Sequence, residues 1–218
     1  MKLYLSSYKL GNKVDFLQDW LKNHDSKIGL IINARDIFPD GERKESRIKS
    51  DTKELENLGF DVKIVDLKNY FGKKKKLEEL LTTIHSFYVI GGNVFTLRRA
   101  MKLSGFDEVL RKHREDGEFL YIGSSSGICV LCKDLQAITV MDDPDIDPYN
   151  SNISAIYEGI GFIEDTIIPH FESNHKETVL ASKAVEYCRQ NNLTYQTLHD
   201  GEVIIKDLVH DNKKVKLQ

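Results

Sequence analysis

The chain has 218 residues, of which 40% are hydrophobic, 30% charged and 9% aromatic, with 4 Pro and 14 Gly, which excludes collagen-like, disordered and low-complexity classes. Its 31 Lys and Arg stand against 34 Asp and Glu, a formal net charge of -3, and that balance recommends neither a nucleic-acid nor an anionic-membrane partner. A chain this long buries roughly 70% of the surface its unfolded form exposes, so one domain over 1–218 is expected.

Short apolar runs alternate with helix-spaced polar stretches from the start. Leu3-Tyr4-Leu5, Ile28 to Ile32, Val62 to Val65, Ser86 to Ile90, Phe119 to Ile122 and Ala137 to Val140 are strand-sized. Val14 to Leu21 carries Phe16, Trp20 and Leu21 on one side, and Arg47 to Leu58 stops at Gly59, as amphipathic helices do. Repetition of this kind predicts an α/β fold, a mostly parallel sheet covered by helices on both faces. Ligands in such sheets bind beyond the carboxyl ends of the strands, so the strand-to-helix loops are where chemistry is expected. The lysine run Lys73 to Lys76 reads as a solvated loop or helix start, since it lacks interleaved aromatics.

Two of those loops stand out. The first, Gly91-Gly92-Asn93, follows a strand and precedes Val94-Phe95-Thr96-Leu97. Paired glycines let a backbone N–H face a ligand, making Gly92 a candidate oxyanion donor, with Asn93 a plausible N-cap. The second, Gly123-Ser124-Ser125-Ser126-Gly127, lies between a strand and a helix-compatible stretch. In this G-x-S-x-G pattern small flanking residues allow a sharp turn that lifts the central serine above the sheet. Ser125 is the candidate nucleophile, and the Ser126 N–H, at a helix N-terminus, is the second oxyanion donor. A serine-rich turn in which Ser126 only caps the helix is the bland alternative.

Further along, Cys129 and Cys132 form C-x-x-C, but without a second pair they suit core packing better than zinc or redox chemistry. Three cysteines in a chain without a secretion signal are expected to be reduced. Asp143, Asp145 and Asp147 imitate the opening of a calcium loop, yet Pro148 and Ser154 stand where that loop needs Gly and Glu. Among seven histidines His170 is the preferred base, because it ends the strand-like run Thr166 to Pro169; His175 and His199 are second choices. The acid that orients it would come from Asp200 or from the segment Asp142 to Pro148.

In combination these stretches resemble the serine peptidase family of peptidase E and the cyanophycinases. Gly91 to Phe95, Tyr121 to Gly127, Asp142 to Pro148, Pro169-His170-Phe171 and Asp200-Gly201 run in the family's order. The resemblance implies a three-layer sandwich like that of class I glutamine amidotransferases and a Ser-His-acid mechanism without metal or cofactor. Ser125 would attack, His170 would carry the proton, and Gly92 and Ser126 would hold the oxyanion. Asp200 and Asp142 compete as the orienting acid. The chain departs from the pattern at Ser124 and Ser126, which flank the nucleophile, and at Val179, where the family's substrate-binding Arg is expected; Lys176 or Lys183 are the substitutes at hand.

The expected activity is hydrolysis of short peptides in the cytoplasm, without nucleic-acid or membrane partners, and a homodimer is compatible with the sequence. The alternatives are a non-catalytic α/β module that binds a ligand or partner on the same rim, or an esterase or amidase. The composition and spacing leave the substrate side chain open.

Overall fold

The computed structural model describes residues 1–210. In chain order the elements are β1 (Lys2–Ser6), α1 (Val14–Leu21), β2 (Lys27–Ile31), α2 (Glu42–Leu58), β3 (Asp61–Val65), α3 (Lys74–Leu80), β4 (Ser86–Val89), α4 (Val94–Ser104), α5 (Phe106–Lys112), β5 (Leu120–Ser124), α6 (Ser126–Cys129), β6 (Thr166–Ile168), α7 (Thr178–Gln190), β7 (Tyr195–Thr197) and β8 (Val203–Asp207). Six strands form one sheet in the order β3-β2-β4-β5-β1-β8. All neighbours in it run parallel except β8, which is antiparallel to β1.

The alternation of strand side chains sorts the core into two layers. Leu3, Leu5, Ile31, Phe87 and Val89 face one side, where they meet Leu77, Leu97, Met101 and Leu110 of α3, α4 and α5. Tyr4, Ile28, Leu30, Tyr88 and Ile122 face the other, against Leu17 and Trp20 of α1 and Leu55 of α2. Each fully buried large side chain contributes about 1.5–3 kcal/mol, and parallel strands buried on both faces need this double covering. The result is the three-layer arrangement expected.

The helix boundaries follow local chemistry. Gly59 closes α2 in the left-handed conformation, φ +104°, where a residue with a Cβ is strained. The Asn93 side chain accepts the Thr96 N–H at 2.9 Å and so caps α4. The lysine run enters α3 at Lys74.

Two expectations need correction. Ala137 to Val140 is not a strand: Gln136–Val140 is a 3-10 turn, started by Asp134, whose carboxylate accepts the Gln136 N–H at 2.7 Å. The Ile138 N–H donates to Leu135 O at 3.0 Å and the Met141 N–H to Ile138 O at 2.9 Å, the three-residue spacing of a 3-10 turn rather than a strand ladder. The run that leads to His170 is a strand, β6, but it leaves the main sheet and pairs in parallel with β7. α7 covers that pair through Ala181, Ala184, Val185 and Cys188, packed on Ile168 and Ala137.

Candidate active site

Ser125 sits at the junction of β5 and α6 with φ +50° and ψ -117°, a sparsely populated conformation that non-glycine residues hold only where surrounding structure imposes it. Its imposition is visible in the packing. The Ser125 N–H donates to Ser6 O at 3.2 Å, and any Cβ on Gly127 would lie 2.1 Å from Val89 O, so only glycine lets α6 approach the strand. The turn therefore projects the Ser125 hydroxyl above the carboxyl end of the sheet. Beneath it, the buried Tyr88 hydroxyl donates to Ser124 Oγ at 3.2 Å.

His170 reaches the same point from β6. It is 1% exposed and has φ +62°. Its Nδ1 lies 2.7 Å from Asp200 Oδ1 and its Nε2 lies 3.0 Å from Ser125 Oγ. A carboxylate only accepts hydrogen bonds, so Nδ1 carries the proton and Nε2 presents its lone pair to the Ser125 hydroxyl. Asp200 is fixed in turn: its backbone N–H donates to Ser173 Oγ at 2.7 Å, and its carboxylate accepts from Ser7 Oγ at 3.0 Å.

Of the two competing acids, Asp200 contacts His170 and Asp142 does not. Asp142 instead accepts the Val94 N–H at 2.7 Å and lies 3.5 Å from Ser126 Oγ. Part of the residue is open to solvent, but the carboxyl group is enclosed, and burial pushes its pKa up to about 7 against the hydrogen bond from Val94. Gly92 and Ser126 are also brought together. The Gly92 N–H donates to Ser126 Oγ at 3.2 Å, and that hydroxyl donates to Gly92 O at 2.8 Å. The Ser126 N–H belongs to the first turn of a helix, where backbone N–H groups lack intrahelical acceptors.

The other sequence candidates fall elsewhere. His199 packs its ring against Phe171, with centroids 6.0 Å apart. His175 stacks on His170, with centroids 3.9 Å apart and planes at 12°, and burial together with the neighbouring His170 lowers its pKa. Cys129, Cys132 and Cys188 are free and buried, and burial raises the Cys129 and Cys132 thiols. Two aspartates of the calcium-like segment cap their own turns: Asp143 accepts from the Asp145 N–H, and Asp147 from the Ser151 N–H and hydroxyl.

A cavity of about 410 Å³ opens over Ser125 and His170, lined further by Tyr8, Lys9, Arg35, Arg47, Asp51 and Lys176. Val179 is 63% exposed, and neither it nor Lys183 lines the cavity, whereas Lys176 does. Sequence reasoning missed Arg35 and Asp51, a largely buried pair at 2.6 Å, although Arg35 follows the carboxyl end of β2 as the loop rule demands. It missed Ser7 for want of any motif.

An α/β sheet with a strained serine turn at the carboxyl end of a strand and a histidine in hydrogen-bond reach defines a hydrolase architecture. The chain belongs to peptidase family S51, a serine peptidase family whose model matches residues 9–213. It is 25% identical over 170 residues to an uncharacterized peptidase of Listeria monocytogenes, covering 74% of this chain and 78% of that protein. A second uncharacterized peptidase, of Listeria innocua, is 23% identical over 163 residues, covering 73% of each. A Listeria monocytogenes EGD-e crystal structure provisionally described as peptidase E superposes with a TM-score of 0.72 at 22% identity, covering 94% of this chain and 98% of that one. A peptidase from an acI-B1 Actinobacterium gives a TM-score of 0.66 at 16% identity, covering 94% and 82%. Among the described residues no helix is long and apolar enough to cross a membrane.

Proposed function

We propose that this peptidase hydrolyses short peptides through an acyl-enzyme on Ser125, with His170 as general base and acid and Asp200 as its orienting acid. The observation that carries the reading is the chain of contacts from Ser125 Oγ to His170 Nε2 at 3.0 Å and from His170 Nδ1 to Asp200 at 2.7 Å, at the wall of the cavity. As Ser125 Oγ bonds to the substrate carbonyl carbon, its proton passes to His170 Nε2. The carbonyl oxygen gains charge beside the N–H groups of Ser126 and Gly92. His170 then protonates the leaving amine, and water reverses the sequence to release the acid.

The cavity supplies the substrate contacts. Arg35 is engaged by Asp51, which leaves Lys9 and Arg47 as lining cations without an ion pair among the described residues. They are suited to a carboxylate of the substrate, the role that Val179 cannot fill.

Fluorophosphonate labelling of the wild type beside Ser125→Ala, read by intact mass, tests the nucleophile, and a panel of dipeptides and tripeptides tests the activity. One adduct lost in the variant, with turnover of peptides by the wild type alone, is the expected result. An unlabelled wild type under conditions that label a control serine hydrolase would overturn the mechanism.

A further inference from the structure

We propose that His170, His175 and Glu177 form a binding site for a divalent cation of zinc's chemistry, and that its occupation turns the peptidase off. The binding stands on the geometry alone; the inhibition rests on His170 being the base, as read above.

The donor atoms of the three residues lie within 4.8 Å of one another, the one such group among the described residues. Glu177 Oε2 is 3.8 Å from His170 Nε2, too far for a hydrogen bond but on the same edge of the ring. The His175 ring is stacked on that of His170 at 3.9 Å, and one of its nitrogens falls within the same 4.8 Å group. All three residues line the active-site cavity, and a cation enters from solvent without any rearrangement of the core.

Two imidazoles and a carboxylate are a ligand set that zinc takes with one position left for water. Bonds of 2.0–2.2 Å in a tetrahedron place donors about 3.4 Å apart, so donors that now lie within 4.8 Å of one another close by up to about 1.4 Å on binding, and the His175 ring turns out of its stack so that its lone pair meets the same ion. The residues that move are His175 and Glu177, both half-buried in the irregular segment between β6 and α7. Either nitrogen of His175 can serve, at the loss of the long 3.2 Å bond that Nδ1 accepts from the Glu177 N–H. The cation against the site is Lys176, 3.5 Å from Glu177 Oε1, on an exposed side chain that can turn to solvent.

His170 is already wired as a ligand. A carboxylate on the remote ring nitrogen fixes the tautomer and raises the basicity of metal-binding histidines, and Asp200 provides that contact at 2.7 Å. The feature that prepares Nε2 to accept the Ser125 proton therefore also prepares it for a metal. The two uses exclude each other, because Nε2 has one lone pair.

Zinc titration by calorimetry on the full-length Ser125→Ala chain tests binding without requiring activity. One zinc per chain is expected, with affinity reduced at least about tenfold by adding His175→Ala or Glu177→Gln. In the wild type, saturating zinc is expected to reduce peptide turnover at least about tenfold, with recovery on adding a chelator. Both single variants should need more zinc for half-inhibition, and magnesium, which prefers oxygen donors, should leave turnover unchanged. Absence of stoichiometric binding, or binding unaffected by both substitutions, overturns the site. Binding with full activity overturns the switch. A wild type without peptidase activity refutes the mechanism and the switch together, while calorimetry still decides the site. Should His175→Ala unfold, Glu177→Gln, outside the core clusters, carries the comparison.

Discussion

Ser7 Oγ accepts the backbone N–H of His170 at 2.9 Å and donates to Asp200 Oδ1 at 3.0 Å, so one fully buried hydroxyl at the end of β1 ties His170 and Asp200 together. The arrangement explains how His170 is held at φ +62°, a conformation that costs of order 1–3 kcal/mol. Ser7→Ala removes both contacts and leaves a buried N–H unpaired, a loss of about 1–3 kcal/mol. Because the proposed base and its orienting acid lose a shared anchor, kcat is expected to fall roughly 10- to 100-fold with KM little changed. Fluorophosphonate labelling should slow in proportion. A variant with lowered melting temperature but wild-type labelling rate would show that Ser7 is structural only.

The Ser126 hydroxyl bridges Gly92 N–H and Gly92 O, and so occupies a donor assigned above to the oxyanion. Ser126→Ala removes the occupant. Turnover is expected to rise several-fold, below the roughly 100-fold that a whole donor can supply, because the wild-type hydroxyl can rotate aside. Single-turnover acylation rates on one peptide measure this directly. A fall of tenfold or more would mean that the hydroxyl supports the hole rather than competes with the substrate.

The strand-to-helix loops were legible because their chemistry is local. Gly127 and the glycine pair at 91–92 announce close backbone approach, and the serine turn between strand and helix has few other uses. His170 was legible for a partly wrong reason: the run before it is a strand, but of a second sheet, and the fold brings it to Ser125 through long-range packing by α7. The choice between Asp200 and Asp142 was not legible, since both are acids in loops and only the tertiary arrangement separates the one beside His170 from the one beside Val94. Ser7, Arg35 and Asp51 lie in no motif. Their significance comes from contacts more than 15 residues away in sequence, as in Ser7 with His170 and Asp200 and Arg35 with Asp51. The 3-10 turn at Gln136–Val140 was misread because four apolar or β-branched residues in a row carry no period of their own.

Lys9 and Arg47 offer the next test. If they read a substrate carboxylate, replacing each with Ala should raise KM for peptides carrying an acidic side chain by about 2- to 5-fold, as expected of a solvent-exposed charge pair worth up to about 1 kcal/mol, and leave kcat near the wild-type value. Steady-state kinetics on matched acidic and neutral peptides decide it. An equal change for both peptides would remove the assignment.

Asp142 links the site to stability through its titration. Burial raises its folded-state pKa to about 7 from the ordinary 3.8, so the folded chain binds a proton more tightly than the unfolded one. The stability this group contributes is therefore fully present below about pH 4 and is lost as pH rises through about 7. Asp207 acts in the opposite direction: Lys2, His210 and Val209 hydrogen bonds hold it down to about 2 despite burial, so its contribution is present above about 4 and lost toward pH 2. Asp142→Asn isolates the first effect, because the amide oxygen still accepts from the Val94 N–H while the buried charge is gone. The difference in melting temperature between variant and wild type should shift in favour of the variant between pH 4 and 7 and stay constant above. Asp142→Ala should be about 1 kcal/mol less stable than Asp142→Asn at every pH, since the Val94 N–H is left without its acceptor. A variant-minus-wild-type difference for Asp142→Asn that is flat across this range would show that the carboxylate is ionised throughout and stabilised by the N-terminus of α4.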